Sequence, residues 1–370
     1  MMRFEFMPYL SQIEIQEHLQ VRGIEITCDE SQHLILTGPN GYGKSTLLRL
    51  INTEILRRCG NRVGLTGQYN VEFSGSQFPS MKSPQTCILA YFDAFRQPNF
   101  QVPQGPKNLV QRSLGLSTNR AFGDNLLQVF VNQYTQQAYA AVDNDRESVA
   151  RIQDWFARMT SALGVIFEDS GLKLHFERKT FKYEIRLSDG RVVNFQTMAD
   201  GHKAAIAIAS ELLLRRDVIH DESGVFEPDG IVLIDELETH LHLRLQEVML
   251  PFLCDLFPQI QFIVATHSPA ILTSVPNAKI FDLANRKSLL SRDLQGIDYG
   301  TLMTSHFGIS SEYDLETTNQ LHKLRKLYEK TDRSKQENDL LQRMALDLSS
   351  KSHTIAMEIL LDLESNNDRR

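Results

Sequence analysis

The sequence predicts an α/β fold whose buried strands carry a phosphate-binding turn, and three observations predict it. A strand pattern, Leu34-Ile35-Leu36-Thr37, runs into Gly38-Pro39-Asn40-Gly41-Tyr42-Gly43-Lys44-Ser45 and then into a helix pattern. A short apolar run, Ile231 to Ile234, ends in Asp235-Glu236. A second, Phe262 to Ala265, ends in Thr266-His267-Ser268-Pro269. Wholly apolar runs of this length suit strands covered on both faces, as in a parallel sheet.

The elements follow in order. Residues 10–37 alternate in the manner of strands, at Ile13 to Ile15, Val21 to Ile26 and Leu34 to Thr37. A helix is expected from Ser45 to about Arg58, stopped by Cys59-Gly60. Residues 61–125 hold Gly, Pro, Gln and Ser punctuators, with Ile88 to Phe92 as their best strand and Pro98, Pro103 and Pro106 marking a loop. From 124 to 167 the spacing is helical, with Ile152, Trp155, Phe156, Met159 and Leu163 on one stripe. Strands are expected over 172–195, at Leu172 to Phe176, Tyr183 to Leu187 and Val192 to Phe195, the last pair turning at Asp189-Gly190. A helix follows from about His202 to Arg215. From about 312 onward the chain reads as polar helix, with Leu321, Leu324 and Tyr328 on one face and Leu341, Met344 and Leu348 on another.

Bulk properties narrow the class. The 370 residues allow several domains, or one large α/β domain with insertions. A net charge of −7 argues against wholesale coating of nucleic acid. There is no apolar run of membrane-spanning length, so no membrane partner is expected. The N-terminal residues lack the apolar core of a signal peptide. Cys28, Cys59, Cys87 and Cys254 are scattered and read as free thiols, which places the protein in the reducing cytoplasm.

The glycine-rich turn fits G-x-x-x-x-G-K-[ST] in full, between the strand and helix that motif requires. Its amides and the helix N-terminus can cradle the phosphates of ATP, Lys44 can reach the β- and γ-phosphates, and Ser45 can bind Mg²⁺. Residues 38–46, from Gly38 through Thr46, are the candidate ATP-binding segment. Asp235 is the second candidate Mg²⁺ ligand, and Glu236 the group that polarises water. His267 at its strand end is a candidate contact to the γ-phosphate, or a structural hydrogen-bonding group.

These motifs in this order resemble the ABC-type ATPases of the SMC, Rad50, RecF and OLD group, over most of the first 310 residues. Asp235-Glu236-Leu237-Glu238-Thr239-His240-Leu241-His242 is similar to that group's D-E-P-E-x-H-L-H stretch, and Ala265 to Pro269 to its His-switch strand. The resemblance implies a P-loop NTPase of ABC/SMC-head type over 1–310. It would carry a lid and insertion at about 61–200, followed by a C-terminal helical segment, 311–370, for assembly or a partner. It also implies that two heads sandwich two ATP molecules, each completed by a signature loop from the other head. The matching loop is Met198-Ala199-Asp200-Gly201-His202-Lys203, where Ala199 replaces the usual serine and His202 the usual glutamate. Asp200 and Gly201 are its candidate nucleotide-binding residues; the alternative is a plain helix N-cap at Asp200. Gln97 is the positional candidate for a Q-loop glutamine, and Glu238 to His240 for a dimer-contacting loop.

About 150 residues separate Lys44 from that loop, too few for the long coiled coils of SMC and Rad50 proteins. No acidic Toprim pattern follows His267. The chain therefore resembles a stand-alone OLD-like ATPase head, as in two-gene anti-phage systems such as PARIS, Septu and some retrons. That implies a homo-oligomer of heads controlling a separately encoded effector, possibly a nuclease, with slow hydrolysis. Two other readings stay open. One is a DNA-binding repair ATPase, given Lys173, Arg178, Lys179, Lys182, Arg186 and Arg191 around the predicted lid. The other is an ATP-binding scaffold with little turnover.

Overall fold

The computed structural model describes residues 9–30, 32–61, 64, 67–75, 87–96, 98–107, 125–223, 227–302, 315–330, 332–351 and 355–356. They fall into two compact units, 1–297 and 298–370. In chain order the first unit runs β1 (Tyr9–His18), β2 (Val21–Thr27), β3 (His33–Thr37), α1 (Lys44–Arg58), β4 (Gln68–Ser74) and β5 (Ile88–Phe92). It continues through α2 (Leu126–Val142), α3 (Arg146–Ile166), β6 (Lys173–Glu177), β7 (Lys182–Arg186), β8 (Val192–Asn194) and α4 (Asp200–Ser223). β9 (Gly230–Ile234), α5 (Leu243–Leu256), β10 (Ile260–Ala265), α6 (Pro269–Leu272), β11 (Ala278–Asp282) and β12 (Lys287–Leu290) complete it.

The central sheet has the order β12-β11-β3-β10-β9-β5, parallel except for the β12 edge. β10 therefore lies between the strand that delivers the glycine-rich turn and the strand that delivers the acids. Its register sets Val264 beside both Ile35 and Ile234, so the three strands end at one level. Every residue of β9 and β10 is buried, as their apolar runs Ile231–Ile234 and Phe262–Ala265 require. Each large apolar side chain so covered contributes roughly 1.5–3 kcal/mol. The buried Gln261 in β10 bonds both backbone groups of Leu10 and the carbonyl of Gln32, fastening this sheet to the antiparallel sheet β2-β1-β4.

The strands expected over 172–195 form the antiparallel sheet β6-β7-β8. Its Tyr183 packs against Phe130 of α2 with ring centroids 5.1 Å apart, and Phe130 meets Trp155 of α3 edge-on. The helical stretch expected over 124–167 is two helices. Asn144 turns the chain at φ 60°, and Asp145 caps α3 by accepting from the Ser148 amide at 3.1 Å. α4 is longer than the expected His202 to Arg215. The Ala199 carbonyl accepts from the Lys203 amide, and a buried Arg215–Glu211 pair carries the helix past Arg215. Asp200 thus lies inside the first turn and is not the cap. Gln97 lies outside the described residues.

The second unit holds α7 (Leu315–Glu329) and α8 (Lys335–Lys351). Leu321 and Leu324 share one small core with Leu348 and Ile355, so the two apolar faces read separately in the sequence meet each other. Among the described residues no helix is long and apolar enough to cross a membrane.

Candidate functional site

The glycine-rich turn leaves β3 with Gly38, Gly41 and Gly43 at φ 127°, 85° and 95°, a left-handed path that only glycine follows without strain. Gly43 caps α1, and its carbonyl accepts the Leu47 amide at 2.8 Å. The first-turn amides of α1 have no helical partner and converge on the turn. Lys44 is 6% exposed and folds back, donating to the carbonyls of Gly38 at 2.8 Å and Pro39 at 3.2 Å. Burial lowers its pKa, while Glu238, Glu236 and Asp235 push the other way. Thr46 accepts from Gln20 Nε2 at 3.0 Å, which ties α1 to the β1–β2 turn. Tyr42 and Asn40 are exposed.

Asp235, at the end of β9, is 2% exposed. Burial raises its pKa, opposed by the Ser45 hydroxyl, which bonds it. Its Oδ1 is buried with no protein partner. A buried carboxylate oxygen without a donor, beside a serine hydroxyl, is the donor set a small hard cation takes, so these residues fit Mg²⁺.

Glu236 adopts φ 49°, a left-handed conformation costing about 1 kcal/mol or more for a residue with a Cβ. Arg96 holds that bend. It is nine-tenths buried, and its amino groups donate to the carbonyls of Asp93 at 2.8 Å, Asp235 at 2.6 Å and Glu236 at 2.6 Å. Glu236 Oε2 accepts from Thr239 Oγ1 at 3.2 Å. Glu238 turns inward and accepts from Thr266 Oγ1 at 2.7 Å and the His267 amide at 2.5 Å. This carboxylate is thereby spent within its own chain, locking the acidic loop to the end of β10. Burial lowers the pKa of His267; Lys44 lowers it further, and Glu236 and Asp235 oppose. Lys44, Ser45, Asp235, Glu236 and His267 therefore share one site.

Asp200 and Gly201 lie at the start of α4, against the loop that carries the acids. A Cβ on Gly201 would stand 2.4 Å from the His240 carbonyl oxygen, so α4 starts hard against the acidic loop. Beside it opens a cavity of about 370 Å³ lined by Arg96, Pro98, Asn99, Asp200, Lys203 and His240. The His202 ring stacks on Phe167, centroids 4.4 Å apart and planes 2° from parallel. Sequence reasoning missed Arg96, Gln20 and Lys203 as site residues. Arg96 leaves little signal, since two of its three carbonyl partners are 139 and 140 residues away.

A family model described as "AAA domain, putative AbiEii toxin, Type IV TA system" matches residues 88–273, just over half of the chain. The chain is 25% identical over 332 residues to "Septu protein PtuA" of Bacillus mycoides (strain KBAB4), covering 81% of this chain and 44% of that one. It is 23% identical over 314 residues to "Septu protein PtuA" of Bacillus thuringiensis, covering 76% and 77%. It is 35% identical over 95 residues to "Retron Vc95 probable ATPase" of Vibrio cholerae serotype O1 biovar El Tor, covering 25% and 18%. The chain thus spans less than half the length of the first relative and over three quarters of the second. Among solved structures, the SMC head domain from Thermotoga maritima aligns at a TM-score of 0.40 with 13% identity, covering 76% of this chain and 97% of that one.

Proposed function

The chain belongs to this AAA-domain family, and on that premise we propose that it is an ATP-driven switch whose heads close on nucleotide and hydrolyse it slowly. The observation that carries the proposal is Asp235 Oδ1, buried and unpartnered at a site shared by Lys44, Ser45 and Glu236. Residues 38–46 would hold ATP, with Lys44 leaving the carbonyls of Gly38 and Pro39 to meet the β- and γ-phosphates. Ser45 and Asp235 would hold Mg²⁺, which when bound neutralises phosphate charge. Glu236 would orient water for in-line attack, and His267 would contact the γ-phosphate from the end of β10. Thr239 engages only Oε2 of Glu236 and leaves Oε1 for the water; slow turnover is supported by the loop before α4, where Ala199 replaces the usual serine.

Two heads would close over the nucleotides, with Asp200 and Gly201 of one facing the nucleotide of the other. Their position at an open cavity beside the acidic loop supports that arrangement. The resemblance to ATPase halves of two-gene defence systems, with the PtuA and retron ATPase relatives, supports a role in anti-phage defence through a separately encoded effector, of which a nuclease is the leading class.

Light scattering tests this. ATP should raise the mass of the wild-type protein, and Glu236→Gln should hold the larger species for longer. A mass indifferent to ATP in both proteins sinks the proposal. Binding of DNA is a second reading, favoured by the exposed Lys173, Arg178, Lys179, Lys182 and Arg186 of the lid. It requires an affinity that falls steeply with salt, with a log–log slope of about −4.5 if those five cations meet phosphates of a duplex.

A further inference from the structure

Asp235 and Glu236 are consecutive, yet both act on Lys44 and His267. Successive side chains of an extended strand point to opposite faces, so the chain must bend between them for both to serve one site. β9 ends at Ile234, and Glu236 turns left-handed at φ 49°. The carbonyls record the same bend. Neighbouring carbonyls of a strand point opposite ways, whereas those of Asp235 and Glu236 both accept from one guanidinium, each at 2.6 Å.

Arg96 reaches that peptide from the adjoining strand. β5 pairs with β9 up to Phe92 and Ile234, and the Asp235 amide then donates to the Phe92 carbonyl at 2.8 Å. Arg96 is anchored on its own side by the Asp93 carbonyl at 2.8 Å. Glu238, Asp235, Asp93 and Glu236 all favour its charge, against the cost of its burial. Four carboxylates would hold a lysine as readily, so charge alone does not explain an arginine here. Its fork does, because a planar guanidinium presents N–H groups in a fixed relation that an ammonium lacks. The Thr239 amide also bonds the Glu236 carbonyl, at 3.0 Å, but from within the same loop, so it cannot tie that loop to β5.

We propose that Arg96 is a positioning residue for hydrolysis, whose fork fixes the Asp235–Glu236 peptide so that Glu236 holds its carboxylate on the attacking water while Asp235 keeps its own inward. The inference rests on the reading of Glu236 given above. In that step the water oxygen bonds to the γ-phosphorus as the bond from phosphorus to the β–γ bridging oxygen breaks. The water's proton passes to Glu236, and ADP and inorganic phosphate result. Arg96 acts on this step through the backbone.

The test separates the fork from the charge. Arg96→Lys keeps the charge and should bind a fluorescent ATP analogue as wild type does. Its KM for ATP should change by no more than about twofold, while kcat falls about a hundredfold. Arg96→Ala should be as slow. Added guanidinium, entering by the cavity of about 370 Å³ that Arg96 lines, should raise its rate roughly tenfold, and methylammonium should not. Placed on Glu236→Gln, Arg96→Lys should cost little more, because the group it aims is already disabled. A wild-type kcat in Arg96→Lys overturns the proposal. So does a loss of ATP binding that matches the loss of rate, which marks an arginine with a structural role alone. Equal rescue by methylammonium, or effects of the two substitutions that simply multiply, overturns it as well. If Glu236→Gln alone hydrolyses ATP like wild type, the reading of Glu236 fails and takes this inference with it.

Discussion

At the scale of single residues, the site is governed by charges kept from water. Asp235 is buried with one oxygen unpartnered, and burial holds its pKa above the ordinary carboxylate range. The folded chain then keeps a proton that the unfolded chain has lost, so this residue's contribution to stability declines as pH rises from about 4 through the raised value. Asp235→Asn should remove that decline and stabilise the nucleotide-free protein by about 1 kcal/mol at neutral pH. It should also abolish the added thermal stability, about 2–3 kcal/mol, that saturating Mg²⁺ and ATP give the wild type. Calorimetry from pH 4 to 8, with and without Mg²⁺ and ATP, reads both effects; a variant less stable at every pH would refute the account. The residues that carry this chemistry were legible because each motif is contiguous: 38–45, 235–236 and 265–269. Arg96 was not, because nothing in a sequence marks an arginine whose partners are distant carbonyls.

At the scale of elements, the buried strands read well because an uninterrupted apolar run leaves few alternatives at that length. The ends of α4 did not. Residues 204–215 are buried on all sides, so no polar face marks a 3.6-residue stripe and no stripe marks where it stops. α5 escaped notice for another reason: Pro251 interrupts it, and proline normally argues against a helix interior. The contact between α4 and the acidic loop has a testable consequence. Gly201 leaves no room for a Cβ, since the nearest atom is the rigid carbonyl oxygen of His240 at 2.4 Å. Gly201→Ala should push α4 from the loop, lowering stability by about 1–3 kcal/mol despite the better helix propensity of alanine. ATP-driven assembly should suffer more than ATP binding, because the glycine-rich turn is untouched. A variant with wild-type melting temperature and assembly would mean that the loop yields freely.

At the scale of the whole molecule, the proposed pairing of heads makes one head an incomplete ATP site. The turn, the two acids and His267 converge, and the start of α4 lines a cavity that Arg96 shares with the acidic loop. If each nucleotide is completed only by a second head, hydrolysis becomes second order in protein at low concentration. The rate per chain should then rise in proportion to concentration until the heads are mostly paired, and level off above that point. Chain concentrations spanning about two decades around the dissociation constant of the ATP-bound pair would trace the whole curve. Higher salt should move the midpoint to higher concentration if closure brings exposed cations of one head to the phosphates of the other across an initially solvated gap. A rate per chain that stays flat from nanomolar to micromolar protein, with mass measured in parallel and monomeric, would place the complete catalytic set within one head. The cavity at α4 would then have to serve something other than nucleotide.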